Sequence, residues 1–289
     1  MESLNKQELV NLIRSVFPRF DQDRVLSVLT DFPKSREEDN SDWVERRKIA
    51  HRWVTTLREA KEELQLERID WVGYANVGSN NADFPPMAYF LEEDLPEDVD
   101  GLERVGKSVP TEEVLRKTQL FLAPTEYSTT APLKLAAKKT AFRAATMAGF
   151  SAKMIPALRL DYTEINRRVN LVKERLDRAD SSEMVFLVDQ DKTYTIFFDL
   201  RFREAHTSSG RFPNLGTAGN LPSGETYIVP YEGEKGERSL TRGQLPVQFG
   251  EEVVVYAIEE NLIVAVDGEG ESAQKERQLV ASEPAYANV

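Results

Sequence analysis

Apolar and polar residues follow two different periods along the first half of the chain. Short apolar runs, typical of buried strands, lie at Arg24–Thr30, Ile69–Ala75 and Leu120–Leu122. Longer runs with apolar residues every three to four positions, typical of amphipathic helices, lie at Leu9–Phe17 and Asp42–Leu64. Strands that are separated by helices of this length usually pair in parallel, so the pattern predicts an open α/β sheet.

The pattern changes after Glu183, where strand-like runs follow one another with no helix between them. Two connections, Asp189–Lys192 and Glu259–Asn261, are short enough for hairpin turns. The five runs are Met184–Val188, Tyr194–Phe198, Tyr227–Val229, Val253–Ile258 and Leu262–Val266. We therefore predict an N-terminal open parallel α/β domain at residues 1–157. Residues 158–289 are predicted to form a linker helix and part of a mostly antiparallel, β-rich (α+β) domain.

The composition excludes several classes of protein and of site. The chain has 49 acidic and 37 basic residues, a net charge of -12, which argues against nonspecific binding to nucleic acid or to anionic membranes. It has no cysteine, so disulfides, thiol nucleophiles and cysteine metal ligands are excluded. No stretch approaches the ~20 apolar residues of a membrane-spanning helix, and the polar start does not resemble a signal peptide. We expect a cytoplasmic protein with no nucleic-acid or membrane partner.

The chain has two histidines. His51 lies within the predicted helix Asp42–Leu64, beside an apolar stripe that includes Trp43 and Trp53, and this position favours a packing or surface role. His206 lies in a polar loop, where a metal-ligand role is possible but a flexible connection is favoured.

The segment Gly219–Glu225 is the strongest candidate for chemistry. Its glycines can adopt positive φ and Pro222 has a fixed φ, so the turn is expected to deliver Glu225 to the first position of an apolar strand. A carboxylate held by the backbone in this way suits a metal ligand or a general base. A hairpin entry with a solvated glutamate is the common alternative for such a turn.

This segment, Asn220-Leu221-Pro222-Ser223-Gly224-Glu225, resembles the Asn-X-Pro-X-Gly-Glu signature of the thermophilic metalloaminopeptidases, the aminopeptidase T-like family of leucyl aminopeptidase type. Other segments are similar in the same order from about residue 115 onwards, namely Phe121–Thr125 with Ser128–Thr130, Ala141–Met147 and Asp161–Glu164. The resemblance implies an enzyme that removes N-terminal residues from peptides with a divalent metal such as zinc or cobalt. It also implies that Glu225 is a metal ligand and that the protein is a homodimer.

The resemblance also predicts ligands that this chain lacks. The family's later ligands are a second glutamate, a histidine, a tyrosine and a His-X-Asp pair, and no histidine follows His206 here. The chain therefore resembles an N-terminal domain with part of a catalytic domain, and its catalytic residues are unknown. Two alternatives stay open, namely a non-catalytic binding or assembly relative and a ring-cleaving iron dioxygenase on a related fold. The dioxygenase would need two histidines and a carboxylate around iron.

Each of the remaining candidate residues and loops has a structural interpretation as well as a functional one. The loops Asn76–Asp83 and Thr125–Thr130 follow predicted strands, where they would either line a cleft or serve as capping turns. For Arg201 a structural salt bridge is favoured over a contact with a substrate carboxylate. Asp199 and Asp191 are ambiguous in the same way. Nothing in the sequence places a histidine near Ser128 or Ser223, so a serine triad is not supported.

The predicted homodimer has a predicted interface. The strands Val253–Ile258 and Leu262–Val266 are rich in β-branched residues on both faces, and uncovered edges of this kind tend to pair with other chains. We expect the region after Glu183 to contribute to a dimer interface. The alternative is that a further segment of the same chain covers these strands.

Overall fold

The chain folds into two compact units in a computed structural model that describes residues 3–289. The first unit comprises Met1–Val169 and Ser208–Glu225, and the second comprises Asn170–Thr207 and Thr226–Val289. The segment that returns to the first unit contains the turn Gly219–Glu225. The domain boundary between residues 157 and 158 remains a prediction.

Fourteen strands lie within residues 3–289. They are β1 (Val25–Phe32), β2 (Arg68–Ala75), β3 (Met87–Leu91), β4 (Lys107–Pro110), β5 (Leu120–Thr125), β6 (Arg143–Ala148), β7 (Ser181–Val188), β8 (Lys192–Asp199), β9 (His206–Ser208), β10 (Thr217–Asn220), β11 (Glu225–Tyr227), β12 (Arg242–Phe249), β13 (Glu252–Glu259) and β14 (Leu262–Asp267).

Eight α-helices lie within the same residues. They are α1 (Lys6–Val16), α2 (Ser41–Glu59), α3 (Val99–Val105), α4 (Thr111–Lys117), α5 (Thr130–Thr140), α6 (Ile155–Leu158), α7 (Tyr162–Leu176) and α8 (Glu271–Ser282), with short 3₁₀ turns at Ala152–Met154 and Pro284–Ala287. None of these helices is long and apolar enough to cross a membrane.

The first unit is built around a seven-stranded sheet in the order β10-β6-β5-β1-β2-β3-β4. Strands β1, β2, β5, β6 and β10 pair in parallel, while β3 and β4 pair antiparallel at one edge. All eight residues of β1 are buried, as expected for a central strand that is covered on both faces. Because β2 and β5 lie on either side of β1, the connection order reverses there, and the carboxyl end of β1 is the switch point of the sheet.

Apolar side chains cover both faces of this sheet. On one face α1 and α2 pack their buried sides, including Leu9 and Trp53, against strand residues such as Trp71. On the other face Leu133 of α5 packs with Phe121 and other strand residues. Helices α1 and α2 each begin with an asparagine cap. Asn5 forms a capping box at α1, and the Asn40 side chain accepts a hydrogen bond from the Trp43 amide at α2.

The second unit contains a five-stranded antiparallel sheet in the order β14-β13-β12-β8-β7. One face carries a small core in which Ile196, Val254 and Tyr256 pack with Ala273 of α8. This arrangement, together with the first unit, confirms the predicted fold class of a mixed, mainly parallel α/β unit followed by an antiparallel β unit.

Two predictions about individual strands were wrong, and the strands β3, β4, β9, β10 and β12 were not predicted. The run Tyr227–Val229 contributes only its first residue to a strand, since β11 ends at Tyr227. The prediction missed β12 entirely. Because β12 pairs with β13 along seven residues, the predicted edge strand Val253–Ile258 is an interior strand, and the edges of the sheet are β14 and β7.

Candidate functional site at the carboxyl edge of the parallel sheet

The turn that carries Glu225 leaves the sheet at the carboxyl end of β10. Gly219 and Asn220 are the last residues of β10, and the amide of buried Leu221 donates to the carbonyl of Thr146 in β6 (2.8 Å). Glu225 is the first residue of β11, as expected, and its side chain is exposed. The turn therefore lies at the edge where ligands bind to open α/β sheets.

The two glycines of the turn have a different role from the predicted one. Neither Gly219 nor Gly224 has a positive φ. A Cβ at Gly219 would lie 3.0 Å from the Phe212 ring, and one at Gly224 would lie 3.4 Å from Ile165. The glycines thus allow close packing of the turn, rather than an unusual backbone conformation.

Two threonines hold Asn220, the first residue of the signature. The hydroxyls of Thr130 and Thr146 lie 3.0 and 3.1 Å from Asn220 Oδ1, and 2.7 Å from each other. Thr130 begins α5 and Thr146 lies in β6, so three separate elements meet at this side chain. The network fixes the start of the turn that ends at Glu225.

The two loops that were predicted to lie at strand ends do lie side by side. The Asn81 amide donates to the Ser128 carbonyl (2.7 Å), and the Ser128 amide donates to Asn80 Oδ1 (2.8 Å). Asn81 Oδ1 also accepts the Ala131 amide in the first turn of α5 (3.0 Å). These contacts support the capping-turn interpretation of both loops.

Sequence reasoning missed a buried carboxylate at the switch point itself. Asp31, near the end of β1, accepts hydrogen bonds from the amides of Glu126 (2.8 Å) and Tyr127 (3.2 Å) and from Trp43 Nε1 (3.2 Å). Burial outweighs these bonds and the nearby charge of Arg46, and it raises the pKa of Asp31 to about 6. The available signal was an ionisable residue next to the predicted strand, since the other polar residues of β1, Ser27 and Thr30, carry no charge.

The other candidate residues have structural partners. His51 Nε2 lies 2.9 Å from the Glu93 carbonyl and its ring lies 5.1 Å from Trp71, which agrees with the predicted packing or surface role. Arg201 binds both oxygens of buried Asp199 (2.9 and 2.8 Å), which confirms the salt bridge.

Three further candidates, His206, Ser223 and Asp191, lie outside any catalytic grouping in the described chain. His206 is exposed at the start of β9, and its ring lies 5.5 Å from that of Tyr227. Ser223 Oγ lies 2.7 Å from Ser208 Oγ, and Asp191 is exposed in a hairpin turn. No group of three His, Cys, Asp or Glu side chains within residues 3–289 is placed to hold a metal ion. Glu225 therefore has no set of co-ligands within this part of the chain.

A groove of about 450 Å³ lies beside the signature turn. Pro222, Ser223 and Gly224 form one wall, and Leu160, Ile165, Arg168 and Val169 form the other. The lining is mainly apolar, with one guanidinium, and it is formed entirely by the first unit. Such a groove can accept a small apolar side chain.

Comparison with known proteins shows which fold this is. No protein-family model matches the chain, and no curated protein sequence matches it. Among solved structures, the chain is similar to 2,5-dihydroxypyridine dioxygenase from Pseudomonas putida KT2440 at 15% identity and a TM-score of 0.60, covering 98% of this chain and 73% of that one. It is also similar to wild-type AmpT from Thermus thermophilus at 11% identity and a TM-score of 0.51, covering 98% and 76%. At these identities the similarity establishes a shared fold.

Proposed function

We propose that the protein is a metal-dependent aminopeptidase that removes N-terminal residues from peptides, with Glu225 as one metal ligand. The observation that carries the proposal is the position of the signature turn, which a three-element network anchors at the ligand-binding edge of a fold shared with AmpT. The apolar groove beside the turn is suited to the side chain of the N-terminal residue.

The residues of the described chain do not by themselves fit a complete metal centre. A catalytic metal needs three or more protein ligands, and Glu225 has no such companions within residues 3–289 of one chain. The proposal requires that other ligands come from outside these residues.

Hydrolysis of leucine anilide tests this proposal. With added Zn²⁺ or Co²⁺ we expect the wild-type protein to release product. Glu225→Gln should lower the rate by about a hundredfold or more, because the ligand charge is lost. Glu251→Gln, which changes an exposed glutamate of the second unit in the same way, should keep the wild-type rate.

Equal rates in the Glu225→Gln variant and the wild type would contradict the assignment of Glu225. A wild-type protein that is inactive with every metal would instead favour the second candidate, a non-catalytic binding protein on the same scaffold. The lack of further metal-ligating side chains around Glu225 within residues 3–289 supports the non-catalytic binding protein. It predicts that a chelator leaves the thermal unfolding midpoint unchanged.

The similarity to a dioxygenase calls for a parallel test of dioxygenase activity. Iron content of the purified protein and consumption of 2,5-dihydroxypyridine under air would be measured in parallel. Stoichiometric iron with substrate consumption would favour the dioxygenase over the aminopeptidase. The signature turn favours the peptidase.

We further propose that the protein is a homodimer that pairs through β7. This edge strand of eight residues is hydrogen-bonded to β8 along one side only. Three of its apolar side chains are strongly exposed, namely Met184 (50%), Val185 (62%) and Leu187 (67%). Antiparallel pairing of two copies about Val185 would place Met184 opposite Phe186 and Leu187 opposite Glu183, so that each exposed apolar side chain gains a cross-strand neighbour. Exposed, apolar edges of this kind favour pairing with another chain.

Light scattering during size-exclusion chromatography tests the dimer. We expect twice the 32.8 kDa chain mass for the wild type and a monomer for Val185→Lys, because two like charges would face each other across the two-fold axis. Leu135→Lys places the same charge at an exposed leucine of α5 and should remain dimeric. A wild-type monomer, or a dimeric Val185→Lys variant, would contradict pairing through β7.

A further inference from the structure

The sheet of the first unit has a notch at the end opposite to the signature turn. Strand β2 pairs with β3 at residues 71–73, with Trp71 opposite Leu91, so residues 68–70 extend past the end of β3. A cavity of about 510 Å³ lies at this notch. Because β2 begins here, the cavity lies at the amino end of the parallel strands.

The lining of this cavity combines one buried carboxylate with several cations. Asp70 has a side chain that is only 11% exposed, and it accepts a hydrogen bond from Arg68 (2.8 Å). Burial outweighs the opposing effects of Arg68 and Arg58 and raises the pKa of Asp70. An ammonium group that enters the cavity would offset part of the cost of burying this carboxylate.

The cations of the lining differ in what they already bind. Arg58 donates to the backbone carbonyls of Leu91 (3.1 Å) and Glu92 (2.8 Å), and Lys117 pairs with Glu113. Lys107 of β4 has no ion-pair partner within residues 3–289. Its ammonium is therefore the group that can receive an anion.

The apolar part of the lining consists of Phe90 and Leu91 of β3, Val109 and Pro110 of β4, and Trp71 of β2. Counted over the whole lining, four basic side chains (Arg58, Arg68, Lys107 and Lys117) face three acidic ones (Asp70, Glu92 and Glu113). This near balance suits a ligand that carries both charges better than a simple anion or cation.

We propose that the notch binds a free amino acid with an aromatic or large apolar side chain. The α-ammonium pairs with Asp70, the α-carboxylate pairs with Lys107, and the side chain packs against Phe90, Val109 and Pro110. Residues 68–70 lie at the other end of β2 from the signature edge, so this site is separate from the proposed peptidase site. It would hold an effector, not the substrate that is cleaved.

Calorimetric titration of the 289-residue protein with L-tryptophan tests the site, with two analogues that each lack one charge. Tryptamine lacks the carboxylate and indole-3-propionate lacks the ammonium. Asp70→Asn should weaken L-tryptophan about tenfold or more and leave indole-3-propionate unchanged, because only the first ligand pairs with Asp70. Lys107→Gln should weaken L-tryptophan and indole-3-propionate to a similar degree and leave tryptamine unchanged.

Lys138→Gln removes the same charge from an exposed position of α5 and serves as the matched control, which should bind like the wild type. Thermal unfolding shows whether each variant is folded, and the surface variant Lys107→Gln keeps the test valid if Asp70→Asn is unstable. Absence of binding to the wild type at the highest soluble L-tryptophan concentration would overturn the proposal. Equal binding by the wild type and both site variants would overturn it as well.

Discussion

Replacing Arg143 with methionine is expected to lower the free energy of unfolding by about 3–5 kcal/mol, the largest stability effect that we predict. Arg143 opens β6 and is fully buried. Its guanidinium donates to Asp23 Oδ2 (2.6 Å) and to the carbonyls of Pro18 (2.6 Å) and Phe212 (3.1 Å). Without it, the buried Asp23 carboxylate would lose its ion-pair partner.

Urea unfolding monitored by circular dichroism measures this effect. Arg116→Met, which removes an exposed arginine of α4, should change the free energy of unfolding by less than about 0.5 kcal/mol. The double variant Arg143→Met with Asp23→Leu should be more stable than Arg143→Met alone, because the unpaired charge is gone. A loss of less than about 1 kcal/mol in Arg143→Met would show that the pair is not essential to the fold.

The pattern of the sequence predicted the central part of the first unit, because its apolar strands and amphipathic helices are long, whereas the short strands β3, β4 and β10 were not predicted. The central strand β1 is buried throughout, and both flanking helices carry clear apolar faces. Periodicity of this kind is the strongest local signal in a sequence. The predicted α/β layer followed directly from it.

The missed strand β12 shows where local signals fail. Its sequence, Arg242–Phe249, contains Gly243 and Pro246, and both residue types disfavour strand interiors. Pairing with β13 along seven residues overrides that preference. Since this pairing is tertiary, no window of the sequence contains it, and the edges of the second sheet were misassigned as a result.

The candidate site was only partly predictable for a related reason. The turn Gly219–Glu225 is a local motif and could be recognised, but the partners of Asn220 lie at Thr130 and Thr146, many residues earlier. Asp31 meets the amides of Glu126 and Tyr127 about 95 positions along the chain. Such contacts depend on the order of strands in the sheet.

Asp31 gives the second large prediction, which concerns pH. Its folded-state pKa of about 6 lies above the ordinary value of 3.8, so the folded protein holds this proton more tightly than the unfolded chain does. The charged carboxylate therefore costs about 3 kcal/mol of stability near pH 7. As the pH falls through about 6 towards 4, the folded protein takes up the proton and this cost disappears.

The difference in unfolding free energy between the wild type and Asp31→Asn isolates this residue from all other titrating groups. We expect the wild type to gain stability relative to Asp31→Asn as the pH is lowered from about 8 to about 5, since the asparagine does not titrate. The matched control Asp42→Asn changes an exposed aspartate at the start of α2, and its difference from the wild type should stay nearly constant over this range.

A direct reading comes from the carboxyl ¹³C resonance of Asp31, which should titrate near pH 6. The midpoint shows whether burial or the hydrogen bonds and nearby Arg46 set the pKa of Asp31. If burial dominates, the carboxyl is neutral in mildly acidic solution and charged above about pH 6. A midpoint below the ordinary value of 3.8 would mean that the amides of Glu126 and Tyr127, with Arg46 nearby, outweigh burial. In that case Asp31 would stabilise the folded protein at neutral pH, and the sign of the predicted pH dependence would be reversed.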